Sequence, residues 1–194
     1  MKKLSKKSLL LFAAVLSLSA FAMPSMASAT TWDVVGTTHV LDSHDLSFTI
    51  PALGAGSICN NSQFHIDVRT VSLLTITNAT FRNCMGTGAA VDCTATATAT
   101  KLDWTADAPA TDNVTINGVH VDVFFENTPG HAACPLPGNV TVTGNLSGGQ
   151  WDQSTHRVTF SNDTGLSALV GANFLPVTVS GTIFDTAQTL TLTD

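Results

Sequence analysis

Alternation of apolar and polar residues with a period of two is the feature that most constrains the fold of this 194-residue chain. It is clearest in residues 64–68, FHIDV, and in residues 74–78, LTITN. Successive side chains of a strand point to opposite faces of a sheet, so the pattern predicts antiparallel strands with one buried face. The same pattern recurs in residues 46–50, 94–104, 119–125, 139–147, 156–161, 176–184 and 189–193. With a first strand near residues 32–40, the chain has about ten strands.

The fold class that follows is all-β, an antiparallel β-sandwich or a closed barrel. Residues 30–194 contain 29 threonines, a β-branched residue that suits pleated sheet, and Gly- and Pro-containing turns separate the strands. Only residues 167–175 show any helical character, and we expect one helical turn there at most. The predicted buried face consists of Phe64, Ile66, Val68, Leu74, Ile76, Leu102, Trp104, Val121, Val123, Phe125, Val140, Val142, Val158, Phe160, Val177, Val179, Ile183, Leu190 and Leu192.

Residues 1–29 have the three parts of a secretory signal peptide. Four lysines within the first seven residues precede a 14-residue apolar run at residues 9–22, and a polar stretch ends in Ala-Ser-Ala at residues 27–29. The run is too short to span a membrane as a helix. We therefore predict cleavage after Ala29, a single β domain at residues 30–194, and a secreted bacterial protein without a membrane span. An outer-membrane barrel is disfavoured because it needs girdles of aromatic residues at both membrane interfaces. This chain has only three Trp and no Tyr.

The charge of the predicted mature chain limits its partners. Without residues 1–29, 4 basic residues remain against the 14 acidic ones, a formal charge of −10. Such a surface repels phosphate groups, so nucleic acid and anionic membranes are poor partners.

All four cysteines follow the predicted leader: Cys59, Cys84, Cys93 and Cys134. An even number in an exported chain predicts two disulfides. A hairpin that places Ile66 opposite Ile76 brings the first two cysteines within one residue of register, an offset that a bulge near residues 59–62 would absorb. A second hairpin, with Leu102 opposite Phe125, aligns the other two. We predict the pairs Cys59–Cys84 and Cys93–Cys134; the spacings fit no common zinc site, and we expect no metal and no cofactor.

Two near copies, HIDV at residues 65–68 and HVDV at residues 120–123, each carry His and Asp on one face of a strand. If the two strands were neighbours, His65, Asp67, His120 and Asp122 could converge on a metal or form a hydrolytic site. The simpler reading makes them solvent-facing polar positions opposite buried apolar ones. Residues 39–45, HVLDSHD, offer a second candidate for a cation site, although a polar connection between two strands is the simpler reading there too.

Ligand-binding surfaces have weaker candidates. Four threonines alternate with alanines at residues 94–100 and could form a flat row of hydroxyls, but packing in a half-buried strand explains them equally simply. Trp151 follows two glycines at a predicted hairpin tip, where an exposed ring could stack on a sugar. No G-x-S-x-G nucleophile motif is present.

The arrangement of Cys59 with FRNC at residues 81–84, a strand ending in Trp104, the later Cys134 and GNLSGGQWDQSTHRVTF at residues 144–160 resembles uncharacterised exported β-rich bacterial proteins that carry paired cysteines. The resemblance implies a disulfide-stapled β fold outside the cytoplasm. It transfers no activity and no catalytic residue to this chain.

These observations favour a non-enzymatic exported protein that binds a carbohydrate, an envelope component or another extracellular protein. The alternatives are an exported hydrolase built on the His and Asp residues, and a hydrolase inhibitor that presents residues 127–137 beside a disulfide.

Overall fold

The computed structural model describes residues 31–32, 35–110, 112–136 and 138–193. The predicted signal peptide at residues 1–29 lies outside the described residues. The strands are β1 (Thr31–Trp32), β2 (Thr38–Ser43), β3 (Leu46–Ile50), β4 (Ala55–Thr70), β5 (Leu73–Gly88), β6 (Cys93–Ala99), β7 (Trp104–Ala110), β8 (Asn113–Asn127), β9 (Gly138–Asp152), β10 (Arg157–Val170), β11 (Asn173–Asp185) and β12 (Leu192–Thr193). A single 3-10 turn at Pro51–Leu53 is the one helical element of this described part.

Strands β2 to β11 form a closed antiparallel barrel with eight positions around its wall. Neighbours in the wall are neighbours in sequence, and β11 closes the ring by pairing with β2 and β3. Two wall positions are each shared by two short strands in line, β2 with β3 and β6 with β7. The result is an up-and-down barrel, which leaves no long exposed sheet edge.

The inside of the barrel is filled by the apolar half of each alternating strand. An eight-stranded barrel has an interior just wide enough for side chains to fill, and here one continuous cluster of buried side chains occupies it. Val121, Val177 and Val179 are fully buried at its centre. The row of threonines on β6 faces outward, while Ala95 and Ala97 face in.

The structure confirms the all-β class and decides for the barrel rather than the sandwich. All side chains predicted to be buried are buried except Leu102, which is 36% exposed. The predicted strand at residues 94–104 is interrupted, because Lys101 and Asp103 adopt positive φ angles between β6 and β7. Residues 167–175, for which one helical turn was the upper limit, contain no helix, since β10 and β11 meet there in a hairpin that pairs Val170 with Asn173.

Both predicted disulfides are present, Cys59–Cys84 and Cys93–Cys134. The first follows from the predicted register, with Cys59 directly opposite Cys84. The bulge, however, lies at the step between His65 and Ile66 rather than near residues 59–62.

The second disulfide has the predicted partners but not the predicted register. Phe125 lies opposite Ala95 rather than Leu102, and Cys93 lies opposite Asn127. The bridge to Cys134 therefore connects β6 to the loop that follows β8.

The two ends of the barrel are closed differently. At one end, here called the disulfide end, lie the 3-10 turn, the β5–β6 and β8–β9 connections, the β10–β11 hairpin and, in the adjoining half of the barrel, both disulfides. At the other, the plugged end, β1 pairs with β12. Three side chains from these terminal segments, here called the plug, are buried at that end: Trp32, Leu190 and Leu192.

Candidate functional site

Three small cavities lie among the described side chains of the barrel interior. One of about 30 Å³ lies at the plugged end, and two of about 20 and 10 Å³ lie toward the disulfide end. An engineered apolar cavity that binds benzene has about 150 Å³. None of these three cavities is large enough for an organic ligand while the barrel is closed.

The structure does not bring the two His–Asp pairs together. His65 and Asp67 are on β4, His120 and Asp122 are on β8, and β5 and β6 lie between these strands. Asp67 accepts from Thr38 Oγ1 at 3.0 Å and pairs with Arg69 at 3.0 Å.

The second pair has its own local partners. His120 Nδ1 lies 2.5 Å from Thr100 Oγ1, and Asp122 accepts from Thr141 Oγ1 at 2.6 Å. Each carboxylate is thus engaged by neighbouring side chains of the outer wall. Within the described ranges there is no group of three or more His, Cys, Asp or Glu residues placed to hold a metal ion.

Residues 39–45 also separate. His39 is buried near the plugged end, whereas Asp42 accepts from Gln63 on the wall at 3.1 Å. Asp45 accepts from the backbone N–H of Thr182 at 3.3 Å. The segment therefore does not form a single site; it is the place where β2 gives way to β3.

Sequence reasoning did not single out Asp185, which organises the plugged end. Its side chain is fully buried and accepts hydrogen bonds from three backbone N–H groups, those of Ala187 at 3.0 Å and of Thr189 and Leu190 at 2.8 Å. His39 Nδ1 lies 3.8 Å from the carboxylate. Asp-Thr-Ala at residues 185–187 was recognisable as a turn, but the burial of its carboxylate depends on the closure of the barrel.

The environment of Asp185 changes its acidity. Burial raises the pKa of the carboxyl, but the three backbone donors, with a smaller contribution from His39, lower it by more. The net pKa lies below the ordinary value, so the buried group is a carboxylate at neutral pH.

The expectation that Trp151 is exposed is wrong. Its ring is 4% exposed and makes an edge-to-face contact with Trp32 at 5.7 Å, and its Nε1 donates to Gln153 Oε1 at 2.8 Å. The hairpin tip lies further along the chain, at residues 153–156, and β9 carries Trp151 into the barrel mouth. Trp104 is buried too, so no tryptophan ring faces solvent.

The loop at residues 128–136 contains most of the segment predicted to bind a hydrolase if the protein were an inhibitor. Contacts with β6, the β5–β6 connection and the end of β8 hold this loop in place. Cys134 is bonded to Cys93, and its backbone N–H donates to Asn127 Oδ1 at 2.6 Å. His131 Nδ1 lies 3.1 Å from Asp92 Oδ1.

The most distinctive surface is at the disulfide end. Met85 and Phe124 are exposed on the outer wall in this half of the barrel, and three further apolar side chains are exposed at its edge: Leu53 by 36%, Val91 by 67% and Phe174 by 71%. The 3-10 turn lies next to β11, and Ala89 N–H donates to the Gly54 carbonyl oxygen, so the three chain segments adjoin. We call these three side chains the apolar rim.

Charge is absent from the segments that carry the apolar rim. Residues 46–58, 85–91 and 164–184 contain no Asp, Glu, Lys or Arg. Outside these segments the disulfide end carries Asp92, which pairs with His131, and Glu126 near the end of β8. Exposed apolar side chains that gather on one surface mark a contact site in soluble proteins.

The model of a protein family described as "Alkane oxidation protein activator PraA/PraB-like" matches residues 1–193. No curated protein and no solved structure matches the chain. No helix in the described part of the chain is long and apolar enough to cross a membrane.

Proposed function

This chain belongs to the PraA/PraB-like family of alkane oxidation activators, and from that premise we propose that it is an exported accessory protein that promotes alkane oxidation without catalysing it. The proposed mode of action is contact with liquid hydrocarbon through the apolar rim. The observation that carries this proposal is the apolar rim, three exposed apolar side chains on uncharged chain segments at the disulfide end.

Export is part of the proposal. It is supported by the pattern of residues 1–29 and by the two disulfides, which persist in oxidising compartments. An accessory protein outside the cytoplasm would meet alkane before the cell takes it up.

The rim suits a hydrocarbon surface better than a defined small ligand. Fully burying one Val, Leu or Phe side chain contributes about 1.5–3 kcal/mol, so three partly exposed ones supply a few kcal/mol on contact with alkane. That is enough for reversible adsorption. The predicted mature chain has a formal charge of −10. Hydrocarbon droplets covered by such a protein would repel one another electrostatically.

The other candidate roles gain no support from the described contacts. A sugar-stacking tryptophan is missing from the surface because all three rings are buried. The His and Asp residues considered for hydrolysis are distributed over separate strands. An activator requires neither an exposed tryptophan nor a hydrolytic site. The family description also fits an activator that acts on a protein partner.

The test uses cells that lack the gene, supplied with purified oxidised protein, and measures oxygen uptake on a liquid n-alkane and on acetate. We expect stimulation on the alkane only. Combining Leu53→Ser with Phe174→Ser should remove at least half of it. Val35→Ser with Val71→Ser is the matched control, because these side chains are 52% and 51% exposed near the plugged end. Equal loss in both double variants, or no stimulation by the unmodified protein, would contradict the proposal.

A further inference from the structure

The plugged end combines an apolar cavity, an unused hydrogen-bond donor and a non-covalent closure. We propose that it is a second binding site, for a linear alkyl chain ending in an oxygen atom, and that Leu190 and Leu192 of the plug occupy this site in the closed state. The choice of ligand class rests on the proposed function, since oxidation of an alkane yields such molecules. The site itself rests on the geometry described below.

The cavities indicate the path of the alkyl chain. The 30 Å³ cavity is lined by Trp32 and Leu190 of the plug and by apolar side chains of the wall. The lining residues that it shares with the 20 Å³ cavity are Phe64, Ile76, Ile116 and Ile183, so the two lie in series inside the barrel. Withdrawal of Leu190 and Leu192 would add the volume of these two side chains to the first cavity and leave an elongated apolar slot with Trp32, whose backbone N–H donates to the Val71 carbonyl oxygen, in its wall.

The donor indicates the polar end of the ligand. Trp32 is 1% exposed, and its Nε1–H has no acceptor among the residues that the structure describes. A buried donor without a partner costs about 1–3 kcal/mol. An alcohol oxygen at the barrel mouth would accept from this group, whereas an alkane could not.

The closure at this end is non-covalent. Both disulfides lie in the other half of the barrel. The C-terminal segment is held here by hydrogen bonds: Gln153 Oε1 accepts from Leu192 N–H at 2.9 Å, His156 Nδ1 lies 2.8 Å from the Leu190 carbonyl oxygen, and Asp185 binds the turn. Chain ends held by such contacts open more readily than covalently bridged loops.

The test is a titration of the ¹⁵N-labelled, oxidised protein with 1-octanol, followed by NMR. The three tryptophans supply three indole N–H signals. We expect the Trp32 signal, and that of its neighbour Trp151, to shift to saturation while the main-chain signals of Leu53 and Phe174 stay in place. Shifts confined to Leu53 and Phe174, or no saturable shift of Trp32, would refute the inference.

Two substitutions test the mechanism in opposite directions. Trp32→Phe keeps an apolar ring but removes the donor, so affinity for 1-octanol should fall roughly fivefold. Gln153→Ala loosens the plug and should raise the affinity by increasing the open population. The matched control is Gln150→Ala, an exposed glutamine whose Nε2 donates to Asn113 on the outer wall, which should leave it unchanged. Unaltered affinity in both test variants would contradict the assignment.

Failure of this inference is separable from failure of the proposed function. The Leu53→Ser and Phe174→Ser double variant should lose alkane stimulation but retain 1-octanol binding. If it retains stimulation and also binds 1-octanol, the proposed function is wrong and the ligand site stands.

Discussion

Replacing Asp185 with alanine should weaken the closure of the plugged end more than any other single change of a polar side chain there. The carboxylate accepts from three backbone N–H groups, and Leu190 N–H is buried with it. A hydrogen bond to a charged group contributes about 1.5–3 kcal/mol, but water can replace part of it where the donor is near the surface. We count the hydrogen bond from the buried Leu190 N–H in full and the other two in part. Asp185→Ala should then lower the free energy of unfolding by about 2–4 kcal/mol.

The measurement is urea unfolding of the oxidised protein at pH 7. With a slope of about 2 kcal/mol per molar urea, the midpoint should fall by about 1–2 M. The matched control is Asp152→Ala, because Asp152 is exposed and binds only Ser154 and Thr155 in its own turn. Its loss should leave the urea midpoint close to that of the unmodified protein.

The effect should depend on pH in a defined direction. The pKa of Asp185 is lowered in the folded state, so the unfolded chain takes up the proton first as the solution is acidified. The stabilisation is therefore complete above the ordinary carboxyl pKa and is lost as the pH falls through the folded-state value. The gap between the unmodified protein and Asp185→Ala should narrow in acid. A difference at pH 7 below about 0.5 kcal/mol, or a gap that widens on acidification, would refute the reasoning.

Two further changes test the frame of the barrel. Replacing Cys93 and Cys134 by serine opens a covalent loop with a sequence separation of 41. The free energy of unfolding, measured with urea, should fall by about 3–4 kcal/mol. A fall of less than about 1 kcal/mol would show that the loop is held in place without the disulfide. Gly165→Ala should destabilise by about 1–3 kcal/mol, because a Cβ there would collide with the backbone carbonyl oxygen of Asn145, and an unchanged melting temperature would show that β9 can move aside.

Predictions from sequence held best where two alternating segments are joined by a short turn. The β4–β5 register follows from two adjacent alternating segments and a short turn, and it carries Cys59 to Cys84. The prediction failed for Leu102 because alternation alone does not reveal a break between strands, and the break depends on positive φ angles at Lys101 and Asp103. The prediction for Trp151 failed because it took the two preceding glycines as a hairpin turn. Both glycines lie within β9.

The candidate sites illustrate the same limit. Spacing along a strand places His65 and Asp67 on one face, but whether His120 and Asp122 join them depends on how many strands intervene. The apolar rim escaped detection because its members come from three distant segments, each of which alone looks like an ordinary loop. The uncharged stretches at residues 46–58, 85–91 and 164–184 were the available signal.

The amino-acid sequence by itself determined most of the strands, the inward face of nearly every strand and the Cys59–Cys84 pair, because side-chain alternation and the register of an adjacent hairpin are local properties of the backbone. Only the tertiary structure decided that the strands close into a barrel, that Asp185 is buried beneath the C-terminal segment, that Cys93 meets Cys134 through the loop after β8 and that three uncharged segments meet at one end. Those outcomes depend on which strands meet across the ring, and pairing between distant segments is set by the packing of the whole interior rather than by any single stretch of chain.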